Sequence, residues 1–173
     1  MIGFGGINML EIYTINSRLL LVDLEVYIAL ILINIIADVF LPESFLNPQL
    51  SYFRTKAWEE DGEFYQRVFK IRKWKDLIPV FPGLKRFSKK HLKKDSIEYL
   101  SRFILETCRG ELNHLRLIIF SLVFIFFNPT IIFLLIFIIT LIFSVPCIMI
   151  QRYNRPRLQQ IYAKRLKSEK AGK

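Results

Sequence analysis

Cysteine and histidine are scarce in this 173-residue chain, with two of each. Neither pair stands at metal-ligand spacing, which leaves no metal site and no disulfide framework to argue from. No glycine-rich nucleotide loop is present. Lys and Arg are absent before Arg18, and no small-residue cleavage pattern follows the first apolar run, so that run reads as a retained anchor. Carboxylates are as thin at the other end, where Glu169 stands alone beyond residue 150.

What the chain has in abundance is apolar side chains. They make up 53% of it, including 16 phenylalanines, and they concentrate in Leu19 to Leu41 and Leu117 to Ile150. A soluble core would spread them more evenly, so the expected fold is an all-α integral membrane protein with about three transmembrane helices. The spans are placed at 26–41, 115–127 and 131–150, one N-terminal crossing followed by a C-terminal helical hairpin, in a single domain. Charge is segregated too. Residues 1–41 hold Arg18 against Glu11, Asp23, Glu25 and Asp38, a net of −3, whereas 42–116 carry +6 and 151–173 carry +7. Basic flanks stay on the cytoplasmic side, which predicts a multi-pass cell-membrane protein with its N-terminus outside and with loop 42–114 and the tail in the cytosol. The nearest partner for those cations is the anionic inner leaflet; no nucleic-acid-binding motif accompanies them, so nucleic acid is not expected. Cys108 and Cys147 fall near the cytoplasmic span ends and are expected to be thiols.

Asn34 and Asp38 lie inside the first span, and Asp38, a turn from its end, is expected to snorkel to the interface. Pro42 and Pro48 close that helix. Over 60–78, Phe64, Val68, Ile71 and Ile78 recur near helical spacing among Arg67, Lys70, Arg72, Lys73 and Lys75, the pattern of an amphipathic helix lying flat on a leaflet. Pro79 and Pro82-Gly83 end it, and the basic run that contains His91 follows as a solvated connector. Asp95 with Glu98 resembles a capping box opening a long helix over 96–127. Asn128-Pro129-Thr130 turns the chain. Pro146 is expected to kink the third span, and Asn154 with Pro156 to stop it and restart a cytoplasmic helix over 156–168.

One constellation could carry chemistry. At 100° per residue Thr107, Gly110, Glu111 and His114 share a helix face, and Ser121 extends it. Glu111 is three residues from His114, close enough for a carboxylate to orient an imidazole, as in a general-base pair. A polar pair satisfied inside a bundle fits the same spacing. Arg102, Arg109 and Arg116 repeat every seven residues on another face, with Glu106 placed to pair with the first two; that stripe reads as a braced polar face with Arg116 snorkelling. If the last two long helices run antiparallel, Arg152, Asn154, Arg155 and Arg157 arrive opposite the histidine, as guanidinium groups suited to phosphate or carboxylate.

The stretches FKIRKWKDLIP, ILETCRGELNHL and SVPCIMIQRYNRPRL, taken in that order and spacing, resemble the small membrane glycosyl-4,4'-diaponeurosporenoate acyltransferases of staphyloxanthin-type carotenoid synthesis. The similarity runs from about Asn34 to about Leu158. It implies transfer of a fatty acyl group from an activated carrier to a sugar hydroxyl of a lipid-soluble glycoside. It points to Arg72, Lys73, Trp74 and Lys75, to Glu106, Arg109, Glu111 and His114, and to Arg152, Asn154, Arg155 and Arg157. Leu115 stands where that family has an aromatic, and Cys108 where it has a lysine, which argues against Cys108 as an acyl nucleophile.

The expectation is therefore an acyltransferase in which His114, oriented by Glu111, deprotonates the acceptor hydroxyl. Arg152, Asn154, Arg155 and Arg157, with Arg72, Lys73 and Trp74, would bind substrate and clamp the donor, acyl-CoA or acyl carrier protein, used as co-substrate with no bound cofactor and no metal. Glu106, Arg109 and Thr107 would support the site. Two alternatives remain: the same chemistry on another lipid or glycolipid acceptor, and a non-enzymatic adaptor binding anionic lipids.

Overall fold

The computed structural model describes residues 9–78 and 96–171, with side chains from Arg18 onward; Pro79, Pro82, Gly83, His91 and Asp95 lie outside that set. Every regular element among the described residues is helical. Helix α1 spans Met9–Phe40, α2 Glu63–Phe69, α3 Ile97–Ser121 and α4 Thr130–Ala171, with short 3₁₀ turns between them.

Two helices are long and apolar enough to cross a membrane, Arg18–Phe40 within α1 and Thr130–Ala171. They bury little of their apolar surface. Leu32, Ile36, Ile142 and Phe143 face outward while Asn34, Thr140 and Ser144 are buried, at 2% exposure or less. That is the reverse of a soluble helix and is what lipid as solvent demands: polar groups must find partners inside the bundle. The Tyr27 hydroxyl bonds to Thr140 at 2.9 Å, and the Asn34 amide donates to Asn113. This is a membrane protein.

α1 stops at Phe40, ahead of Leu41 and Pro42, as the proline requires. α3 is opened by Ser96, whose Oγ accepts from the Tyr99 N–H at 3.1 Å, so the cap falls one residue later than the box expected at Asp95. Its last turn passes into a 3₁₀ turn, Leu122–Phe126, so the long helix over 96–127 is present with a tightened end. Asn128 then clips the hairpin turn to α1 by donating to Asp23 at 2.9 Å.

Three expectations are corrected. α4 runs unbroken for 42 residues through both Pro146 and Pro156, so Asn154 and Pro156 neither stop nor restart it. An internal proline removes one i to i−4 bond, but buried Ile150, Tyr153 and Arg155 pin the helix just ahead of the equally buried Pro156. The amphipathic helix over 60–78 is only seven residues of α-helix, Glu63–Phe69. Glu60 (φ 50°), Asp61 (φ 52°) and Gly62 (φ 93°) wind left-handed ahead of it, and Lys70 (φ 50°) breaks it behind. Asp38 does not snorkel: its carboxylate takes Arg116 at 3.2 Å, and Arg116 Nε also reaches Asn34 Oδ1 at 2.8 Å. A charge paired across helices costs less in lipid than two left alone.

The connector after α1 packs over the charged end of the α3–α4 hairpin. Tyr65 and Ile71 bury against Ile150 and Tyr153, and Leu46 and Phe53 bury against Cys108. Gly62 makes that approach possible, since a Cβ there would sit 3.0 Å from the Tyr153 carbonyl oxygen. Gly62→Ala should therefore destabilise the fold by about 2 kcal/mol, combining a left-handed backbone with a contact against main chain that cannot swing aside. A circular-dichroism melt in detergent reads it; an unchanged melting temperature would contradict this packing.

Candidate active site

Thr107, Glu111 and His114 lie on one face of α3, and Arg152 and Arg155 project from facing turns of α4. The two helices meet closely because Gly110 has no side chain: a Cβ there would lie 3.1 Å from the Gln151 amide. The space beside Gly110 is thus filled by Gln151, not left for a ligand.

Between the helices lies a layer of two arginines and two carboxylates. Glu111 accepts from Arg152 at 2.6 Å through Oε1 and from Arg155 at 2.5 Å through Oε2. Arg155, 1% exposed, also donates to Thr107 Oγ1 and Thr107 O at 3.0 Å each and to Phe53 O at 2.7 Å. Arg152 forks onto Glu59 of the connector at 2.5 and 2.7 Å. Glu59, itself buried, accepts further from the Tyr65 hydroxyl and the Lys56 N–H, both at 2.6 Å. The charges cancel, and bidentate geometry recovers the desolvation that burial costs.

The layer settles where the expected site residues stand. Glu111 does not orient His114; its two oxygens belong to the arginines, and charge-assisted bonds to guanidinium groups outcompete a neutral imidazole three residues away. His114 is half-buried, and its Nδ1 is fully buried with no hydrogen-bond partner among the described residues. Arg152 and Arg155 are not an open clamp, because Arg155 is enclosed and both are compensated. Arg157 stacks over the Tyr153 ring at 3.6 Å and pairs with Glu63 at 2.5 Å. Arg72 Nε donates to the Tyr153 hydroxyl at 2.7 Å, with Glu63 3.9 Å away. Trp74 donates to Phe69 O at 2.9 Å and packs on the Tyr65–Ile71 cluster. Lys73 is exposed and Asn154 half-buried. Glu106 pairs with Arg109 at 3.5 Å, and Arg109 also donates to Asp38 O at 2.8 Å, while Arg102 turns to Glu43 at 2.7 Å. Thr107 supports the layer by accepting from Arg155 Nε.

Both cysteines are free thiols. Burial pushes the Cys108 thiol up to about 11, far from the thiolate a nucleophile needs. Glu59 goes the other way. Burial pushes its pKa up, but the hydrogen bonds from Arg152, the Lys56 N–H and Tyr65 outweigh it and hold the carboxyl below its usual 4.5. A carboxylate with a depressed folded pKa contributes stability that is whole above its unfolded value and lost as pH falls through the folded one. Denaturation midpoints should therefore drop below about pH 4.5 in the wild type, and more shallowly in Glu59→Gln. Equal acid slopes in the two proteins would contradict the role given to Glu59.

Glu59, Phe53 and the Asn34–Asn113 pair were not foreseen from sequence. Glu59 lies in an acidic run, Glu59-Glu60-Asp61, facing a basic tail, which is the sole hint the sequence holds.

Comparison with known proteins covers this whole site. The family model described as glycosyl-4,4'-diaponeurosporenoate acyltransferase matches residues 49–164. A glycosyl-4,4'-diaponeurosporenoate acyltransferase of Staphylococcus aureus (strain MRSA252) is 32% identical over 127 residues, 70% of this chain and 74% of its own. One from Staphylococcus haemolyticus (strain JCSC1435) is 33% identical over 122 residues, 69% of this chain and 70% of its own. No solved structure matches.

Proposed function

The chain belongs to the glycosyl-4,4'-diaponeurosporenoate acyltransferase family, and from that premise we propose that it moves a fatty acyl group from a thioester donor to a sugar hydroxyl of a glycosylated carotenoid, with His114 as general base. It is an acyltransferase. The observation that carries the base assignment is the buried, unpartnered Nδ1 of His114. Buried polar atoms are ordinarily satisfied, so an imidazole nitrogen with no partner among the described residues supports a group kept for substrate.

In this mechanism the neutral imidazole takes the proton of the acceptor hydroxyl as its oxygen attacks the thioester carbonyl carbon. The tetrahedral intermediate collapses with loss of the thiolate, which takes the proton back from the imidazolium. No acyl-enzyme forms, in keeping with the raised pKa of Cys108. Glu111, Arg152, Arg155 and Glu59 are positioning residues here: they fix α3 against α4 and so hold the turn of α3 that carries His114. Lys73, exposed and without an ion pair among the described residues, is one of the surface cations that would meet an anionic carrier.

Three crossings follow from the same reading. α1 runs inward, 115–127 returns outward as the end of α3 and its 3₁₀ turn, and α4 brings the chain back. Asp23 and Asn128 would mark the outer side, with the basic connector and tail in the cytosol on the anionic leaflet.

Membranes containing the protein, supplied with a labelled acyl thioester and the glycosylated carotenoid acid, should yield a labelled ester of the glycoside. Label appearing on another glycolipid instead would retain the chemistry and change the acceptor. No ester on any added acceptor would remove the proposal.

A further inference from the structure

At the charged end, beyond the ion layer, the connector, the start of α3 and the end of α4 enclose a cleft of about 640 Å³. Gln49, Thr55, Ser101, Gln159 and Tyr162 are among the polar residues that line it, with Ile104 and Leu105 among the apolar ones. The Arg54 guanidinium pairs with no carboxylate among the described residues; its NH2 donates to the Gln49 carbonyl at 3.1 Å. Asp61, on the left-handed turn, adds an acceptor that has no ion-pair partner among the described residues.

We propose that this cleft holds the phosphopantetheine arm of the acyl donor, with Arg54 on its phosphate. The proposal rests on the thioester reading given above. Position excludes the glycoside's sugar: Gln159 lies nine residues past Ile150, about 14 Å farther along α4, away from any lipid the carotenoid tail occupies. A ligand there arrives from water. The residue types suit the arm, since amide and hydroxyl side chains can serve its two amides and its hydroxyl, and Ile104 and Leu105 its methyls. A guanidinium with free N–H groups is the natural seat of its phosphate. Ile104 is ten residues before His114, about 15 Å along α3, so the cleft and the imidazole lie within the reach of one extended arm.

Coenzyme A and acyl carrier protein share this chemistry, and the test separates them. The full chain in nanodiscs is titrated with palmitoyl-coenzyme A, with palmitoyl acyl carrier protein and with palmitate, which has no arm. Arg54→Glu and Ser101→Trp should each weaken at least one thioester probe tenfold or more and leave palmitate unchanged, at unaltered melting temperature. Whichever thioester responds identifies the carrier. Should Ser101→Trp fail to fold, Arg54→Glu with its milder partner Arg54→Gln decides alone. Wild-type affinity in the variants, or an equal loss for palmitate, would overturn the cleft assignment and leave the transfer reaction standing. Failure of the wild type to bind either thioester would remove the donor class itself.

Discussion

Glu111→Ala should cost the folded protein about 3–5 kcal/mol, because it strands two buried guanidinium groups at once. Arg155 would keep its bonds to Thr107 and to the Phe53 carbonyl but lose its sole counter-charge, and Arg152 would retain Glu59 alone. Chemical denaturation in detergent measures the loss. Glu111→Gln should lie between, since the amide keeps the shape and an acceptor oxygen but not the charge. The opposite result would restore the arginines as a donor clamp: if they wait for a carrier phosphate, freeing them by Glu111→Ala would leave stability intact and tighten donor binding.

His114→Ala should lower kcat for acyl transfer by about 10²- to 10⁴-fold, the range a positioned general base supplies. Its effect on stability should stay within about 1 kcal/mol, because removing a ring nitrogen that has no protein partner orphans nothing. That division separates it from Glu111, whose substitution acts through the fold. Measuring turnover and melting temperature on the same membrane preparation shows both. Activity lost only in proportion to stability would make His114 a packing residue.

The membrane fold was legible because its signals are additive. Two long apolar runs do not depend on which residue meets which. The convergence of Glu111 with Arg152 and Arg155 was half legible: helical spacing and an antiparallel hairpin bring the two clusters level, but spacing alone handed Glu111 to His114. The winning partners lie 41 and 44 residues away and compete by charge. Glu59 joins from 93 residues away, beyond the reach of any periodicity. Asp38 and Arg116, 78 residues apart, each look like a lone snorkelling charge until the helices are packed. At Pro156 a sound local rule was overridden, because tertiary contacts around it exceed the one hydrogen bond a proline removes.

The most direct measurement is the pH dependence of single-turnover acyl transfer by the wild-type protein with saturating donor and glycoside. Burial holds the His114 pKa below the usual 6.5, so the neutral imidazole is the working form through neutral pH and the rate should fall only at more acid pH and stay level above it. A rate that stays flat from about pH 8 down to the acid edge of the folded protein would contradict His114 as the base.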